Sequence, residues 1–418
     1  MFAKTISFIY TPTQSRGMKN VLVTATTFPR WRNDTEPNFV FVLSSLLSRK
    51  YNVVVLAPHY PNARKFEVIR NIKIYRFPYF YPSRLQKLCY NGGILENIKK
   101  SFIARIQIPF LLISEFYHVA KIVKKEKIDF IHSHWIIPQG FIAAIIKKLF
   151  RIPFVSTAHA GDIFPIKKGI LRTLARFAIN NSSYVTANSN FTKKTILSIS
   201  GSKSIEVIPM GVDLSKFSPE KKDLRLRQKL NIQNEFILFV GRLAEKKGIE
   251  YMIKAMPIVL RQLPKSKLAI VGDGPEMGKL KNLVKELNIE NSIIFVGKIR
   301  NEELPKFYAT ADVFVGPSIV TDKGDTEGLG VVFLEAIASG TCVIGSNVGG
   351  IPDIIKHNKT GILVEQKNPS QLAHSIVDLL KNKKLQQKLK KSAINHIKST
   401  YSWNIVAGKF DKIYSRIR

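Results

Sequence analysis

Short apolar runs rich in β-branched residues recur along the chain, and each gives way to a polar or glycine-bearing turn and then to an amphipathic stretch. Residues 21–26 open the series, and Val21-Leu22-Val23, without alternation, is the pattern of a strand buried on both faces of a parallel sheet. Phe39–Leu47 follows as an amphipathic helix and 53–57 as a second strand. This βαβ beginning predicts a doubly wound α/β domain whose ligands lie beyond the C-terminal ends of the strands. The pattern returns at 128–135, at 154–158, at 183–188 and at 205–209. A second doubly wound unit starts at Phe236–Val240 and continues through strands at 268–272, Ile293–Gly297, 312–317, 342–345 and 361–364. From about Ser370 the chain reads as amphipathic helix rich in Lys. Met18-Lys19-Asn20 before an apolar strand reads as a natural start, so 1–17 is expected to be a flexible extension. The N-terminal domain is placed at 18–210 and the C-terminal domain at 211–400, with the hinge in 211–219 and a last helix in 401–418. Residues 61–127 are the least regular part and include the predicted helix Phe102–Lys125.

At 418 residues the chain can bury two ordinary cores. Charge adds a second constraint: 65 Lys and Arg stand against 30 Asp and Glu, a net +35. Such a surface attracts polyanions, either nucleic acid or an anionic membrane face. More than half of the surplus lies between Lys19 and Lys203. Basic residues alternate with aromatics from Tyr75 to Arg84, a composition suited to a lipid interface or to single-stranded RNA. A basic nucleic-acid-binding α/β protein is therefore the competing reading, but zinc-finger spacing, an RNP-type motif and a basic tail are all missing, and no nucleic acid is expected. Two cysteines, Cys89 and Cys342, make neither a disulfide framework nor a metal cluster, which points to a reducing, cytoplasmic compartment. His132 and His134 lack a third ligand at metal spacing, and no metal site is expected. No apolar run reaches the roughly 18–20 residues of a membrane helix, because Glu115 breaks 110–120 and Lys147-Lys148 stops 141–146. Membrane contact is expected to be peripheral, on the inner face of the cell membrane.

The densest candidate chemistry is Asp325-Thr326-Glu327-Gly328-Leu329-Gly330-Val331-Val332-Phe333-Leu334-Glu335-Ala336. A polar loop runs here into an apolar helix, whose first N–H groups have no intrahelical partner and whose glycines let an anion approach the backbone. Glu327 and Glu335 cannot hold a phosphate, yet each can accept two hydroxyl hydrogen bonds from a sugar diol. Diphosphate at the helix start with a sugar on either side describes a nucleotide-sugar. Gly241-Arg242 ends one strand and Lys247-Gly248 opens the next helix, so both cations sit at a strand edge facing the same cleft. Arg242 suits a bidentate grip on phosphate, and Lys247 adds a point charge where a leaving diphosphate becomes negative.

Glu327 and Glu335 form the E-x7-E motif, and with Gly241-Arg242, Lys246-Lys247-Gly248, Gly272-Asp273-Gly274-Pro275 and Ile208-Pro209-Met210-Gly211-Val212-Asp213 the chain resembles the retaining glycosyltransferases of family 4. That resemblance implies a GT-B fold, two Rossmann-like domains facing a cleft, with the C-terminal helix crossing back to the N-terminal domain. It implies that Glu327 holds the donor sugar, that Gly328, Leu329 and Gly330 hold the diphosphate, and that Glu335 holds the ribose. His159 matches the position beside the reacting carbon. Asp162 matches the neighbouring acid of that loop, and the resemblance implies that His134 lines the acceptor side. Gly241, Gly272, Asp273 and Gly274 belong to the donor site, with Lys298 near the base. Where many relatives carry Gly-Gly after the first strand, this chain has a glycine-free loop at 28–37, in which Arg30 or Arg32 could supply charge on the acceptor side. Asp-x-Asp occurs nowhere, so Arg242, Lys247 and the helix start would neutralise the diphosphate without a divalent cation or other cofactor. The implied reaction is front-face transfer of a hexosyl group from a nucleotide-sugar to a lipid-linked saccharide, phospholipid or other cell-envelope acceptor. A GT-B epimerase and an inactive sugar-nucleotide-binding scaffold share the motifs and remain as alternatives.

Overall fold

The computed structural model describes residues 17–31, 34, 36–166, 168–201 and 203–417. Arg32 and nearly all of the N-terminal extension lie outside the described residues. Two sheets carry the chain. The first holds β1 (Asn20–Thr24), β2 (Asn52–Pro58), β3 (Phe66–Ile69), β4 (Ile72–Phe77), β5 (Phe130–His134), β6 (Phe154–Ala158), β7 (Tyr184–Ala187) and β8 (Ile205–Val207). Their spatial order is β3-β4-β2-β1-β5-β6-β7-β8. All neighbours are parallel except β3 and β4. The second sheet holds β9 (Phe236–Val240), β10 (Lys267–Val271), β11 (Ile293–Gly297), β12 (Val313–Gly316), β13 (Cys342–Ser346) and β14 (Ile362–Val364). Its order, β11-β10-β9-β12-β13-β14, is parallel throughout. Strand order reverses between β1 and β5 in one sheet and between β9 and β12 in the other. Those reversals open crevices beyond the strand ends, and the loops that leave them carry the candidate chemistry.

Covering both faces of each sheet explains the unbroken apolar strands: β9 and β6 are buried at every position. Trp403–Ser415, the last helix, contributes Val406, Phe410, Ile413 and Tyr414 to the core that Val21, Val23, Val53 and Val55 form on β1 and β2. Its return is fastened where Val212 N–H donates to the Tyr401 carbonyl at 2.8 Å. Gly211 is needed there, since a Cβ would stand 2.5 Å from the Trp403 ring.

Two expectations are corrected between 61 and 127. The aromatic and basic segment from Tyr75 to Arg84 is divided and not one continuous surface: Arg76, Phe77 and Tyr79 are buried, whereas Tyr81 and Arg84 are exposed. Arg76 pairs with Glu67 across the β3–β4 hairpin at 2.6 Å and donates to the carbonyls of Pro29 and Arg64. An arginine whose charge is paired and whose terminal nitrogens reach acceptors can lie inside a sheet even with its Nε unpartnered, which its local pattern does not reveal. Phe102–Lys125, moreover, is a single helix of 24 residues, long and apolar enough by length and composition to cross a membrane. Glu115 does not interrupt it, because that carboxyl points inward, buried against Gln139. Ala104, Leu111, Val119, Ile122 and Val123 pack into the N-terminal domain. The opposite side exposes Phe102, Ile106, Phe110, Ile113 and Tyr117, a stripe at helical spacing.

Candidate active site

The C-terminal wall is built on the loop between β12 and the helix Val331–Ala338. Gly330, left-handed at φ +91°, begins that helix without a side-chain cap; the Phe333 N–H turns back to the Gly330 carbonyl at 2.9 Å, and the Val331 and Val332 N–H groups have no intrahelical partner. Behind the loop, Gly350 N–H donates to the Glu327 carbonyl at 3.0 Å, and a Cβ on Gly349 would lie 2.1 Å from that same oxygen. The Gly349-Gly350 turn thus fixes Glu327. The Glu327 carboxylate makes a short ion pair with the Lys247 ammonium, each side chain less than a fifth exposed. Burial works against the charge on Glu327, but the Lys247 ammonium overrides it and holds the carboxyl below its ordinary range. Glu335 has a different environment. It accepts a 2.8 Å hydrogen bond from the Tyr308 hydroxyl, and burial pushes its carboxyl up to about 7.

Beside this loop lie the turns that leave β9 and β10. Gly272 adopts φ +137°, where a Cβ would meet the Gly241 carbonyl oxygen at 1.9 Å, and one on Gly274 would meet the Leu243 carbonyl at 2.3 Å. These glycines let the two turns nest, which sets Arg242 and Lys247 at the cleft. Asp273 is exposed and accepts from the Gly274 N–H at 2.7 Å. Lys298 is exposed just beyond β11. Leu329 turns its side chain into the core and leaves only backbone to the cleft.

On the N-terminal wall, His134 ends β5 and His159 follows β6, with the His134 Nδ1 and His159 Nε2 atoms 2.9 Å apart. Burial pushes His159 down to about 3 and His134 well below its usual range, so both imidazoles are neutral and one donates to the other. Phe39 and Trp135 stand against the His159 ring at 4.8 and 5.2 Å. Asp162 does not reach an acceptor. Its carboxylate is turned inward and accepts the N–H groups of Ile136 and His159 at 2.6 and 3.0 Å, tying the two strand-end loops together. Burial pushes Asp162 up to about 6. Arg30 is not a free cation either. It is 6% exposed, pairs twice with Asp34, and lies among the rings of Trp31, Tyr60 and Tyr90. With that charge neutralised, the glycine-free loop offers the ligand no cation from Arg30.

The walls meet. A Cβ on Gly328 would stand 2.6 Å from the Ala160 Cβ, which places the Glu327 loop directly against His159. Arg242 reaches across the cleft to Glu96 at 3.3 Å, and Asn190 binds Asp353 at 2.6 and 3.1 Å. Glu327, Lys247, Arg242 and the helix start therefore share one gap with His159 and His134. Sequence reasoning did not single out Glu96, Tyr308, Phe39, Trp135 or the bracing role of Gly349-Gly350. Only the paired glycines carried a local signal; the others depend on contacts between distant segments. Among the described residues no three His, Cys, Asp or Glu side chains are grouped to hold a metal ion. The site thus combines two cations, Arg242 and Lys247, and a helix start with two buried carboxylates, Glu327 and Glu335, groups of the kind that bind phosphate and sugar hydroxyls.

Comparison with known proteins identifies the family. Residues 221–396 match the family described as glycosyl transferases group 1, and residues 38–216 match glycosyltransferase family 4. An uncharacterised glycosyltransferase of Methanocaldococcus jannaschii is 32% identical over 69% of this chain and 75% of its own length. The chain belongs to glycosyltransferase family 4. A second relative, the GDP-mannose-dependent alpha-(1-6)-phosphatidylinositol monomannoside mannosyltransferase of Mycobacterium tuberculosis, is 31% identical over 59% of this chain and 64% of its own. The N-acetyl-alpha-D-glucosaminyl L-malate synthase of Bacillus anthracis is 28% identical over 80% of this chain and 86% of its own. Sucrose-phosphate synthase from Thermosynechococcus elongatus superposes with a TM-score of 0.75 at 21% identity, covering 95% of this chain and 98% of its own, a likeness of fold. The family 4 protein is accordingly a hexosyltransferase with the GT-B fold.

Proposed function

We propose that this family 4 glycosyltransferase is a retaining enzyme that moves a hexosyl group from a nucleotide-diphospho-sugar to a lipid-linked or cell-envelope acceptor, without a divalent metal. The observation that carries the reading is the Lys247–Glu327 pair beside the uncapped start of Val331–Ala338. The diphosphate would lie on those N–H groups, with Lys247 and Arg242 neutralising it and Glu327 released to accept sugar hydroxyls. Glu335 would accept the ribose diol. His159, neutral and walled by Phe39 and Trp135, would pack against the sugar near its anomeric carbon. The acceptor hydroxyl attacks that carbon from the side the diphosphate leaves. The carbon–oxygen bond to the diphosphate breaks as the new glycosidic bond forms, and the acceptor proton passes to the leaving phosphate oxygen. A double displacement needs a carboxylate facing the anomeric carbon, a role that the Glu327 assignment leaves unfilled.

The same proposal places the enzyme on the inner face of the cell membrane. Phe102, Ile106, Phe110, Ile113 and Tyr117 form an exposed apolar stripe, with Lys99, Lys100 and Arg105 at one end and Lys121, Lys124 and Lys125 at the other. An apolar stripe bracketed by cations suits an anionic bilayer. A melting-temperature screen of UDP, GDP, ADP and their sugar conjugates in EDTA tests the donor site. A ligand at a hundred times its dissociation constant stabilises by about 2.7 kcal/mol, enough to move the transition. Stabilisation by one nucleotide-sugar in EDTA, followed by a product of retained anomeric configuration by NMR, is the expected result; a shift that appears only with added magnesium would sink the metal-free part.

A further inference from the structure

We propose that a second, cationic cavity on the N-terminal domain seats the phosphate of a membrane-lipid acceptor, an assignment that rests on the membrane reading above. The cavity measures about 320 Å³ and is lined by Tyr60, Arg84, Lys87, Asn91, Asn97 and Lys100, among others. None of its lining residues is acidic. Arg84, Lys87 and Lys100 make no ion pair among the described residues, whereas Arg30, Lys73 and Arg76 in the same domain are each matched to a carboxylate. Lys100 is attracted to Glu96 on its own helix, yet three cations lining one cavity without a direct carboxylate contact repel one another unless an anion joins them. Phosphate, with several acceptor oxygens and up to two charges, answers that need.

The cavity is held by buried polar contacts. Gln107, wholly buried on the inner side of Phe102–Lys125, accepts from Lys87 N–H at 3.1 Å and donates to the Leu85 carbonyl at 2.5 Å. That fixes the backbone carrying Lys87. Asn97 donates to the carbonyls of Leu88 and Tyr90 at 3.1 and 2.8 Å, which anchors the opposite wall. Location supplies the link to the reaction. Glu96, one turn before Lys100 on the helix Ile94–Lys100, contacts Arg242, so the cavity opens beside the arginine assigned to the donor diphosphate. Ser101, also in its lining, caps Phe102–Lys125, and the exposed apolar stripe begins at the next residue. A lipid whose phosphate sits among Lys87, Lys100 and Arg84 would keep its hydrocarbon in the bilayer along that stripe and present its glycan to the cleft.

The test compares wild type with the triple variant Arg84→Gln, Lys87→Gln, Lys100→Gln. Both are assayed on phosphatidylcholine vesicles doped with phosphatidylglycerol, an anionic phosphodiester, or with cholesteryl hemisuccinate, an anionic carboxylate, at matched surface charge. Wild type is expected to prefer the anionic phosphodiester over the carboxylate by about tenfold, a modest free-energy difference for a cationic pocket. The triple variant is expected to bind both vesicles equally while keeping its thermal shift with nucleotide-sugar, which shows that fold and donor site persist. Wild type without preference, or a triple variant that retains it, overturns the assignment and leaves the membrane reading standing. Wild type that binds neither vesicle, yet is stabilised by inorganic pyrophosphate through Lys87 and Lys100, overturns both the lipid source and the membrane reading.

Discussion

Each domain begins with a strand whose following loop enters the cleft, and each loop carries an arginine: Arg30 after β1 and Arg242 after β9. Their environments are opposite. Arg30 is locked by Asp34 through two side-chain bonds, at 2.9 and 2.8 Å, and is wrapped by three aromatic rings. Arg242 is 38% exposed and its only charged partner among the described residues is Glu96, at 3.3 Å. A guanidinium that already has a buried carboxylate has little left for a phosphate, while one held by a single long contact can exchange partners. Residue type and position alone did not separate the two. The folded contacts did: Asp34, four residues on, turns back onto Arg30, whereas Glu245, three residues after Arg242, makes no ion pair with it among the described residues.

The comparison breaks most sharply through stability. Arg30→Ala leaves Asp34, whose side chain is 1% exposed, as a buried unpaired carboxylate. Removing one partner of a buried pair destabilises by about 3–5 kcal/mol. The expected result in denaturant titration is a loss of that order, with nucleotide-sugar still bound by the fraction that folds. Arg242→Ala should do the reverse. Loss of one donor to developing negative charge lowers turnover by about 100- to 1,000-fold. The melting temperature should stay close to wild type, because the Glu96 pair is partly exposed. If Arg30→Ala instead abolished donor binding in a stable protein, the division of labour between the two loops would be wrong.

A smaller effect concerns the two motif glutamates. Lys247 holds Glu327 ionised, whereas burial raises Glu335 to about 7. Folding favours the protonated form of Glu335, so its contribution to stability is fully present below the ordinary glutamate range and is lost as pH rises through about 7. Donor binding runs the other way if the ribose diol needs the carboxylate. Affinity should then fall up to about tenfold per pH unit as pH drops below the raised value. Isothermal titration across about pH 5.5–8.5 would show this dependence in wild type, and Glu335→Gln would flatten it, because one shifted group carries the profile. An unchanged slope in Glu335→Gln would move the titrating group elsewhere.

The contrast between the loops also shows what the sequence could convey. Both parallel sheets were legible because strands buried on two faces are written as unbroken apolar runs, as in Phe236-Ile237-Leu238-Phe239-Val240. Glu327, Arg242, Lys247 and His159 could be singled out because each sits at a strand end or near a helix start within a short motif, and Glu335 because it stands eight residues after Glu327. The β3–β4 hairpin was not, because Arg76 reads as surface until Glu67 is placed beside it across the turn. Helix Phe102–Lys125 was recognised by pattern, but the side that lacks neighbours follows from packing and not from periodicity. Glu96 and Arg242 are 146 residues apart, and only the closed cleft joins them.

That cross-cleft pair provides the smallest and most discriminating prediction. Glu96 is about one-third exposed, as is Arg242, and a pair of that kind contributes about 0–1 kcal/mol. If Arg242 must leave Glu96 to reach the diphosphate, the pair competes with the donor, and Glu96→Gln should tighten nucleotide-sugar binding by about two- to fivefold. Stability should hardly move, because both side chains can regain water. If Glu96 instead aims Arg242 at the phosphate, the same substitution should weaken binding by a similar factor. Titration of the two proteins with one donor at two salt concentrations separates these cases. Competition predicts that the advantage of Glu96→Gln shrinks as salt screens the pair in wild type, whereas an aiming role predicts that the deficit persists.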